Sequence, residues 1–240
     1  QSIFDTANSL SGGNKQKVVM AINEQLQHCD RFWFSVAFVT TSGIACLKQA
    51  LIELEENGIY GIVGKNGEGK TTLFKCMLSL TPFEGKISFK SEALKSQKIA
   101  WCPTEPALYE ELTAAEFYDF YRELTSSISN NSKMLFDVTE NQLIKNFSTG
   151  MKKKTYLNAV FQNDYPIYIL DEPFNGLDLE SNYILIQYLK EKSKSSVILI
   201  SSHILEILYA NCESIFVIKE KKIVNFQKDD FQKIEEKLFQ

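Results

Sequence analysis

The segment from Gly64 to Thr71 has the sequence of a loop that binds phosphate. It matches the pattern G-x-x-x-x-G-K-[ST] and lies between a predicted strand and a predicted helix. Its glycines allow successive backbone N–H groups to point at one anion, and the dipole of the following helix adds positive potential there. Lys70 is expected to reach the β- and γ-phosphates of a nucleotide as a catalytic cation, and the Thr71 hydroxyl to bind Mg²⁺. The predicted phosphate contacts are Gly64, Asn66, Gly67, Gly69, Lys70, Thr71 and Thr72.

Two carboxylates and a histidine follow apolar runs farther along the chain. Asp171 and Glu172 come directly after the run 167–170, and His203 follows the run 197–201. Open α/β sheets bind ligands at the carboxyl ends of their strands, so these side chains are predicted to lie beside the phosphate loop. Asp171 would hold Mg²⁺ through water, Glu172 would orient or deprotonate the attacking water, and His203 would contact the γ-phosphate. An exposed acidic turn and a surface or helix-capping histidine are the alternative interpretations.

The elements that must position these groups follow from the hydrophobic pattern. From residue 58 onward, short β-branched runs alternate with longer helical stretches, which predicts an α/β fold with a mostly parallel sheet covered by helices. The predicted strands are 59–63, 86–89, 99–102, 167–171, 197–201 and 215–218. The predicted helices are 71–80, 114–124, 152–162, 180–192 and 205–212, with a short amphipathic helix beyond residue 226 that places Phe231, Ile234 and Leu238 on one face. The helix-rich region 105–162 is predicted to be an inserted helical subdomain.

Composition restricts the classes of function. The 240 residues carry 26 lysines and arginines against 30 aspartates and glutamates, which gives a net charge of −4. This balance leaves no broad positive field for a polyanion, so nucleic acid is not an expected partner. The apolar stretch 32–46 is shorter than the roughly 20 residues that a membrane span needs. Five widely spaced cysteines without a C-x-x-C pair are predicted to be reduced thiols of a cytosolic protein.

The three segments above, together with 146–151 (NFSTGM) and 175–178 (NGLD), resemble the ATP-binding-cassette (ABC) ATPases. The resemblance covers the chain from residue 58 to its end and implies a P-loop NTPase fold, binding of ATP and Mg²⁺, and ATP hydrolysis. It also implies that Ser148 and Gly150 belong to the signature motif, which contacts the nucleotide held by the other subunit of a cassette dimer. Asp178 would link the two nucleotide sites of that dimer.

In this family the ATP-binding subunit drives transport through a separate polypeptide. The resemblance therefore implies a membrane-embedded permease subunit as partner, contacted near 109–120, and a homo- or heteromeric cassette dimer. It implies a cytoplasmic location, peripheral on the inner face of the cell membrane.

Two departures from the family pattern bear on this function. Thr149 and Met151 stand where the signature has glycine and glutamine. Thr104 stands where the family has the glutamine that bridges the Mg²⁺ site to the membrane partner. A nucleotide-binding regulatory module with little hydrolysis is therefore the alternative function.

Residues 1–57 do not resemble the antiparallel strands that precede the phosphate loop in this family. The segment 8–21 resembles a second cassette signature of the sugar-importer type. The segment 29–58 resembles the start of a phospholipase-D-like domain attached to some helicases, without its His-x-Lys element, so nuclease activity is not predicted. We therefore interpret 1–57 as an atypical segment joined to an ABC ATPase domain at 58–240. A composite chain that binds no nucleotide is a third alternative.

A native N-terminal extension is the other interpretation of this region. Its hydrophobic pattern predicts a strand at 32–39 and a helix that begins after Ser42. With the strand at 59–63 these elements would form a βαβ unit with a right-handed crossover. Such a unit would replace the antiparallel strands that the family has at this position.

Overall fold

The computed structural model describes residues 57–82, 99–125, 134–220 and 222–239. The predicted strand at 86–89, and the first strand and the helix of the predicted βαβ unit, lie outside the described residues, whereas the last strand of that unit is β1. The strands are β1 (Gly58–Val63), β2 (Ile99–Cys102), β3 (Ile167–Asp171), β4 (Val197–Ser201), β5 (Ser214–Lys219) and β6 (Lys222–Gln227). The helices are α1 (Lys70–Met77), α2 (Ala114–Leu124), α3 (Thr149–Phe161), α4 (Leu179–Lys192), α5 (Leu205–Asn211) and α6 (Ile234–Phe239), with short 3₁₀ helices at Ile144–Asn146 and Lys228–Lys233.

The described strands form one sheet with the order β2-β3-β4-β1-β5-β6. All neighbouring pairs are parallel except β5 and β6, which pair antiparallel. The α/β fold with a mostly parallel sheet is therefore confirmed. The sequence prediction did not include β6, because half of its six residues are polar and this edge strand is only partly buried at Ile223 and Phe226.

Apolar layers cover both faces of the sheet. In β3, Ile167 and Ile169 face the layer that contains Phe74 of α1. Tyr168 and Leu170 face the opposite layer, to which α2, α3, α4 and α5 contribute. Because all five residues of β3 are buried, the strand reads as a continuous apolar run, which is typical of the centre of a parallel sheet.

Local backbone geometry sets the ends of α1. The predicted helix 71–80 was wrong at its carboxyl end, since α1 ends at Met77. Ser79 adopts a left-handed conformation with φ of 56°, and the Leu80 N–H donates to the Lys75 carbonyl at 2.8 Å. This pattern closes a helix even without glycine.

Side-chain caps position the two helices of the predicted helical subdomain. Thr113 and Glu116 form a reciprocal capping box at the start of α2. α3 begins at Thr149, three residues before its predicted start, because the Ser148 hydroxyl accepts a hydrogen bond from the Met151 N–H. In the described ranges no helix is long and apolar enough to span a membrane.

Candidate functional site

The loop between β1 and α1 is held in a curved conformation. Gly67 and Gly69 have φ values of +87° and +101°, which glycine adopts without strain. A Cβ added to Gly64 would lie 2.7 Å from the Ile218 carbonyl oxygen of β5, so this position also requires glycine. The Glu68 carboxylate accepts a hydrogen bond from the Glu220 N–H at 2.9 Å. The loop therefore rests against the end of β5.

Lys70 and Thr71 extend from the first turn of α1 toward the sheet. The buried Lys70 ammonium donates to the Gly64 carbonyl at 2.8 Å, across the mouth of the loop. The Thr71 hydroxyl donates to Asp171 Oδ2 at 2.6 Å. The predicted placement of Asp171 beside the phosphate loop is thus observed.

Ser201 is part of this arrangement and was missing from the sequence prediction. Its hydroxyl donates to Asp171 Oδ1 at 2.5 Å and accepts from the Glu172 N–H at 2.8 Å. Asp171 and Ser201 are paired in register across β3 and β4. The sequence does contain one indication of this contact: Asp171 and Ser201 are each the last residue of a buried strand, and the two strands are neighbours.

Glu172 combines burial with an unsatisfied oxygen. Glu172 is 5% exposed. Its backbone φ is 49°, which is an uncommon conformation for any residue other than glycine. Oε2 accepts from the His203 N–H at 3.2 Å. Oε1 lies 3.0 Å from His203 Nε2 without the alignment of a hydrogen bond, and it has no other partner in the described ranges. Burial raises the pKa of Glu172, while His203 and Lys70 oppose the shift.

These groups line a single cleft of about 310 Å³. Among the predicted site residues, the structure brings together Asn66, Gly67, Gly69, Lys70, Thr71, Thr72, Asp171, Glu172 and His203. Thr104 and Asn175 also line the cleft, although neither was among the predicted site residues. Threonine hydroxyls and an ammonium line the cleft together with two carboxylates and an imidazole, which suits an anion that carries a cation.

Comparison with known proteins places the chain in a family. The sequence pattern of the family described as ABC transporter matches residues 47–175. The chain belongs to the ABC transporter family. The match begins eleven residues before the predicted start at 58, and the boundary between the N-terminal segment and the ATPase domain stays a prediction.

Several similar proteins are ATP-binding subunits of ABC transporters. The ABC-type transporter ATP-binding protein EcsA of Bacillus subtilis is 32% identical, over 74% of this chain and 78% of the relative. A solved ATP-binding subunit of an ABC transporter is 28% identical, with a TM-score of 0.64 over 76% of this chain and 84% of that chain. A dimeric ATP-binding cassette bound to ADP and phosphate shares the fold, with a TM-score of 0.65 at 19% identity over 77% of this chain and 90% of that chain.

Four of the predicted site residues are absent from the cleft lining: Gly64, at the start of the phosphate loop, and three residues that the family resemblance implied. Ser148, Gly150 and Asp178 lie at or near the amino ends of α3 and α4. The Asp178 carboxylate accepts from the Ser181 N–H and from Lys154 Nζ, each at 2.8 Å. These bonds, that of Lys154 first, hold the pKa of Asp178 well below its usual range.

Gly150 packs directly against the loop that precedes Asp178. A Cβ at Gly150 would lie 2.6 Å from the Gly176 carbonyl oxygen, which is backbone and cannot swing aside. We expect Gly150→Ala to lower the free energy of unfolding by about 1–3 kcal/mol, the usual cost of overpacking. Urea denaturation monitored by circular dichroism would measure the loss.

The matched control is Thr149→Ala, one residue earlier, where the side chain is exposed. Substitution of an exposed residue away from special contacts usually changes stability by less than about 0.5 kcal/mol. Equal denaturation midpoints for Gly150→Ala and Thr149→Ala would contradict the close approach of Gly150 to Gly176.

Proposed function

We propose that this chain hydrolyses ATP with Mg²⁺ and thereby drives transport through a membrane-embedded permease subunit. One observation carries the proposal: the buried Glu172 carboxylate, one oxygen of which accepts no hydrogen bond within the described ranges, lines the same cleft as Lys70, Thr71 and Asp171. A carboxylate whose pKa is raised and whose oxygen is free can accept a proton from water.

The residues of the cleft fit Mg²⁺ bound together with a triphosphate. Mg²⁺ prefers oxygen ligands and is usually held by one or two carboxylates plus substrate phosphates. The Thr71 hydroxyl and the Asp171 carboxylate lie 2.6 Å apart and provide such oxygens. When bound, Mg²⁺ would neutralise charge on the β- and γ-phosphates.

The phosphate loop and Lys70 bind and orient the triphosphate. The left-handed conformations of Gly67 and Gly69 leave open space beside the loop, since a Cβ at either position would meet nothing within 4 Å. Lys70 can exchange its bond to the Gly64 carbonyl for a charge-assisted bond to phosphate. This exchange would stabilise charge that develops in the transition state.

In this proposal Glu172 orients the attacking water and accepts its proton, and His203 assists it. Oε1 of Glu172, which lies 3.0 Å from His203 Nε2 and accepts no hydrogen bond within the described ranges, orients the attacking water and takes its proton, while the backbone N–H of His203 holds Oε2. The His203 side chain is half exposed toward the cleft and can reach a γ-phosphate oxygen. His203 therefore both positions Glu172 and contacts the substrate in this proposal.

A second copy or a related cassette would complete the site. Ser148, Gly150 and Asp178 are held at helix ends outside the chain's own cleft, which supports the proposal that they serve the nucleotide of a partner cassette. The similar cassette bound to ADP and phosphate is a dimer. The permease would contact the surface near 109–120, and the complex would lie on the cytoplasmic face of the cell membrane.

The second candidate function, a nucleotide-dependent regulatory module, is favoured by Thr104, which lines the cleft at the position of the family's glutamine. Phosphate release by the purified chain, with Mg²⁺ and with EDTA, distinguishes the two functions. Steady Mg²⁺-dependent release supports the ATPase, whereas tight ATP binding without release supports the module.

The raised pKa of Glu172 also predicts how stability depends on pH. Because burial favours the neutral carboxyl, the contribution of Glu172 to the free energy of unfolding is greatest below its ordinary pKa of 4.5 and declines as pH rises through the higher native pKa. Glu172→Gln, which mimics the neutral form, should therefore unfold at a higher temperature than the wild type near pH 8. The difference should shrink as the pH falls toward 4.5.

Scanning calorimetry without nucleotide at both pH values would measure this difference. A variant that is less stable than the wild type near pH 8, and relatively more stable at acid pH, would contradict the direction of the pKa shift.

A further inference from the structure

Three consecutive lysines of α3 contact three different loops. Lys152 Nζ lies 2.5 Å from Glu110 Oε1, and Lys154 Nζ lies 2.8 Å from Asp178 Oδ2, in partly exposed ion pairs. Successive residues of a helix point about 100° apart, so the lysine between them faces another direction. Lys153 points into the protein and is only 2% exposed.

The Lys153 ammonium has backbone carbonyls as partners in place of a carboxylate. Its Nζ donates to the Pro103 oxygen at 3.0 Å and to the Thr104 oxygen at 3.1 Å, and no salt bridge joins it to an acid within the described ranges. Burial of a cation without a counter-charge is unfavourable, and the two bonds to carbonyls are what compensates for it here. A packing role alone is therefore a poor explanation for a lysine here.

The two carbonyls belong to the segment that carries Thr104 to the cleft. β2 ends at Cys102, and the next two residues are those held by Lys153. Thr104 then lines the cleft with Thr71 and Asp171, whereas Lys153 does not line it. Any effect of Lys153 on a ligand must therefore pass through the 103–104 segment.

We propose that Lys153 is a positioning residue, which holds the Pro103 and Thr104 carbonyls and thereby fixes Thr104 beside the Mg²⁺-bound triphosphate. The proposal rests on the proposed function for the identity of that ligand. It assigns to α3, whose amino end carries Ser148, a direct connection to the wall of the chain's own cleft.

The test measures binding of the non-hydrolysable ATP analogue AMP-PNP to the full chain, with Mg²⁺ and with EDTA. We expect Lys153→Met, which keeps the length of the side chain, to weaken binding about 5- to 20-fold with Mg²⁺, within the usual range of coupling between sites. With EDTA the change should be less than about 2-fold, because the coupling acts on the metal-bound form. Lys152→Met is the matched control and should bind as the wild type does under both conditions.

A purely structural role of Lys153 would weaken binding equally with Mg²⁺ and with EDTA, and that result would overturn the proposal. So would a wild-type affinity that Mg²⁺ does not change. Because AMP-PNP is not hydrolysed, the measurement keeps its meaning if the wild type releases no phosphate. In that case the proposed ATPase function fails while the positioning role of Lys153 is still decided.

A second variant tests the proposal independently, in case Lys153→Met does not fold. Thr104→Ala should also weaken Mg²⁺-dependent binding, and the loss in the double variant should be smaller than the product of the two single losses, because both act on one segment. Independent, multiplicative losses, or a Thr104→Ala variant that binds AMP-PNP as the wild type does, would overturn the proposal.

Discussion

Replacement of Glu172 by glutamine is expected to reduce ATP turnover by about 10²- to 10⁴-fold, the usual contribution of a general base. Glutamine keeps the size and can accept the His203 N–H that Oε2 now accepts. It cannot take a proton from water, so binding should persist while the chemical step is lost. Phosphate release under saturating ATP would measure the loss, and size-exclusion chromatography with ATP should show accumulated dimers.

Glu236→Gln is a suitable control for this variant, because Glu236 is an exposed glutamate in the first turn of α6 and does not line the cleft. Its turnover should equal that of the wild type. Unchanged turnover in Glu172→Gln would remove Glu172 from the role of base and would favour water activation by another group of the cleft.

Replacement of Lys70 by methionine is expected to weaken ATP binding by about 10- to 100-fold. The expectation comes from hydrogen bonds to charged groups, which contribute about 1.5–3 kcal/mol each. Methionine has a similar length and can occupy the buried position of Lys70, so the lost interaction is that of the ammonium. Turnover at saturating ATP should fall as well, since the cation also faces charge that develops on the phosphates.

Titration of the variant with a fluorescent ATP analogue would measure the affinity. Lys75→Met, in the last turn of the same helix and outside the cleft lining, should bind as the wild type does. If Lys70→Met bound ATP as tightly as Lys75→Met, the Lys70 side chain would not be a phosphate ligand, and its bond to the Gly64 carbonyl would be its main role.

Much of the fold could be predicted from the sequence because several strands are short runs of mostly apolar residues. β2, β3 and β4 have the predicted bounds, and each is an apolar run without competing periodicity. The ends of helices were less accessible, since they depend on the left-handed Ser79 and on the Ser148 cap rather than on hydrophobic spacing.

In the candidate site, too, some residues could be predicted from the sequence and others could not. Lys70, Thr71 and Asp171 were predicted because their spacing is typical of a known chemistry. Ser201 and Lys153 were not, because their roles depend on tertiary contacts: Ser201 on strand register, and Lys153 on burial against a loop about fifty residues away. A local sequence pattern shows neither how two strands are aligned in a sheet nor that a particular lysine is buried.

The phosphate loop is held against β5 by contacts that need no nucleotide. Gly64 touches the Ile218 backbone and Glu68 holds the Glu220 N–H, so the entry and the middle of the loop are both braced. Preorganisation of this kind lowers the ordering entropy lost on association. Nucleotide affinity should consequently respond to changes in the β5–β6 hairpin, although none of its described residues lines the cleft.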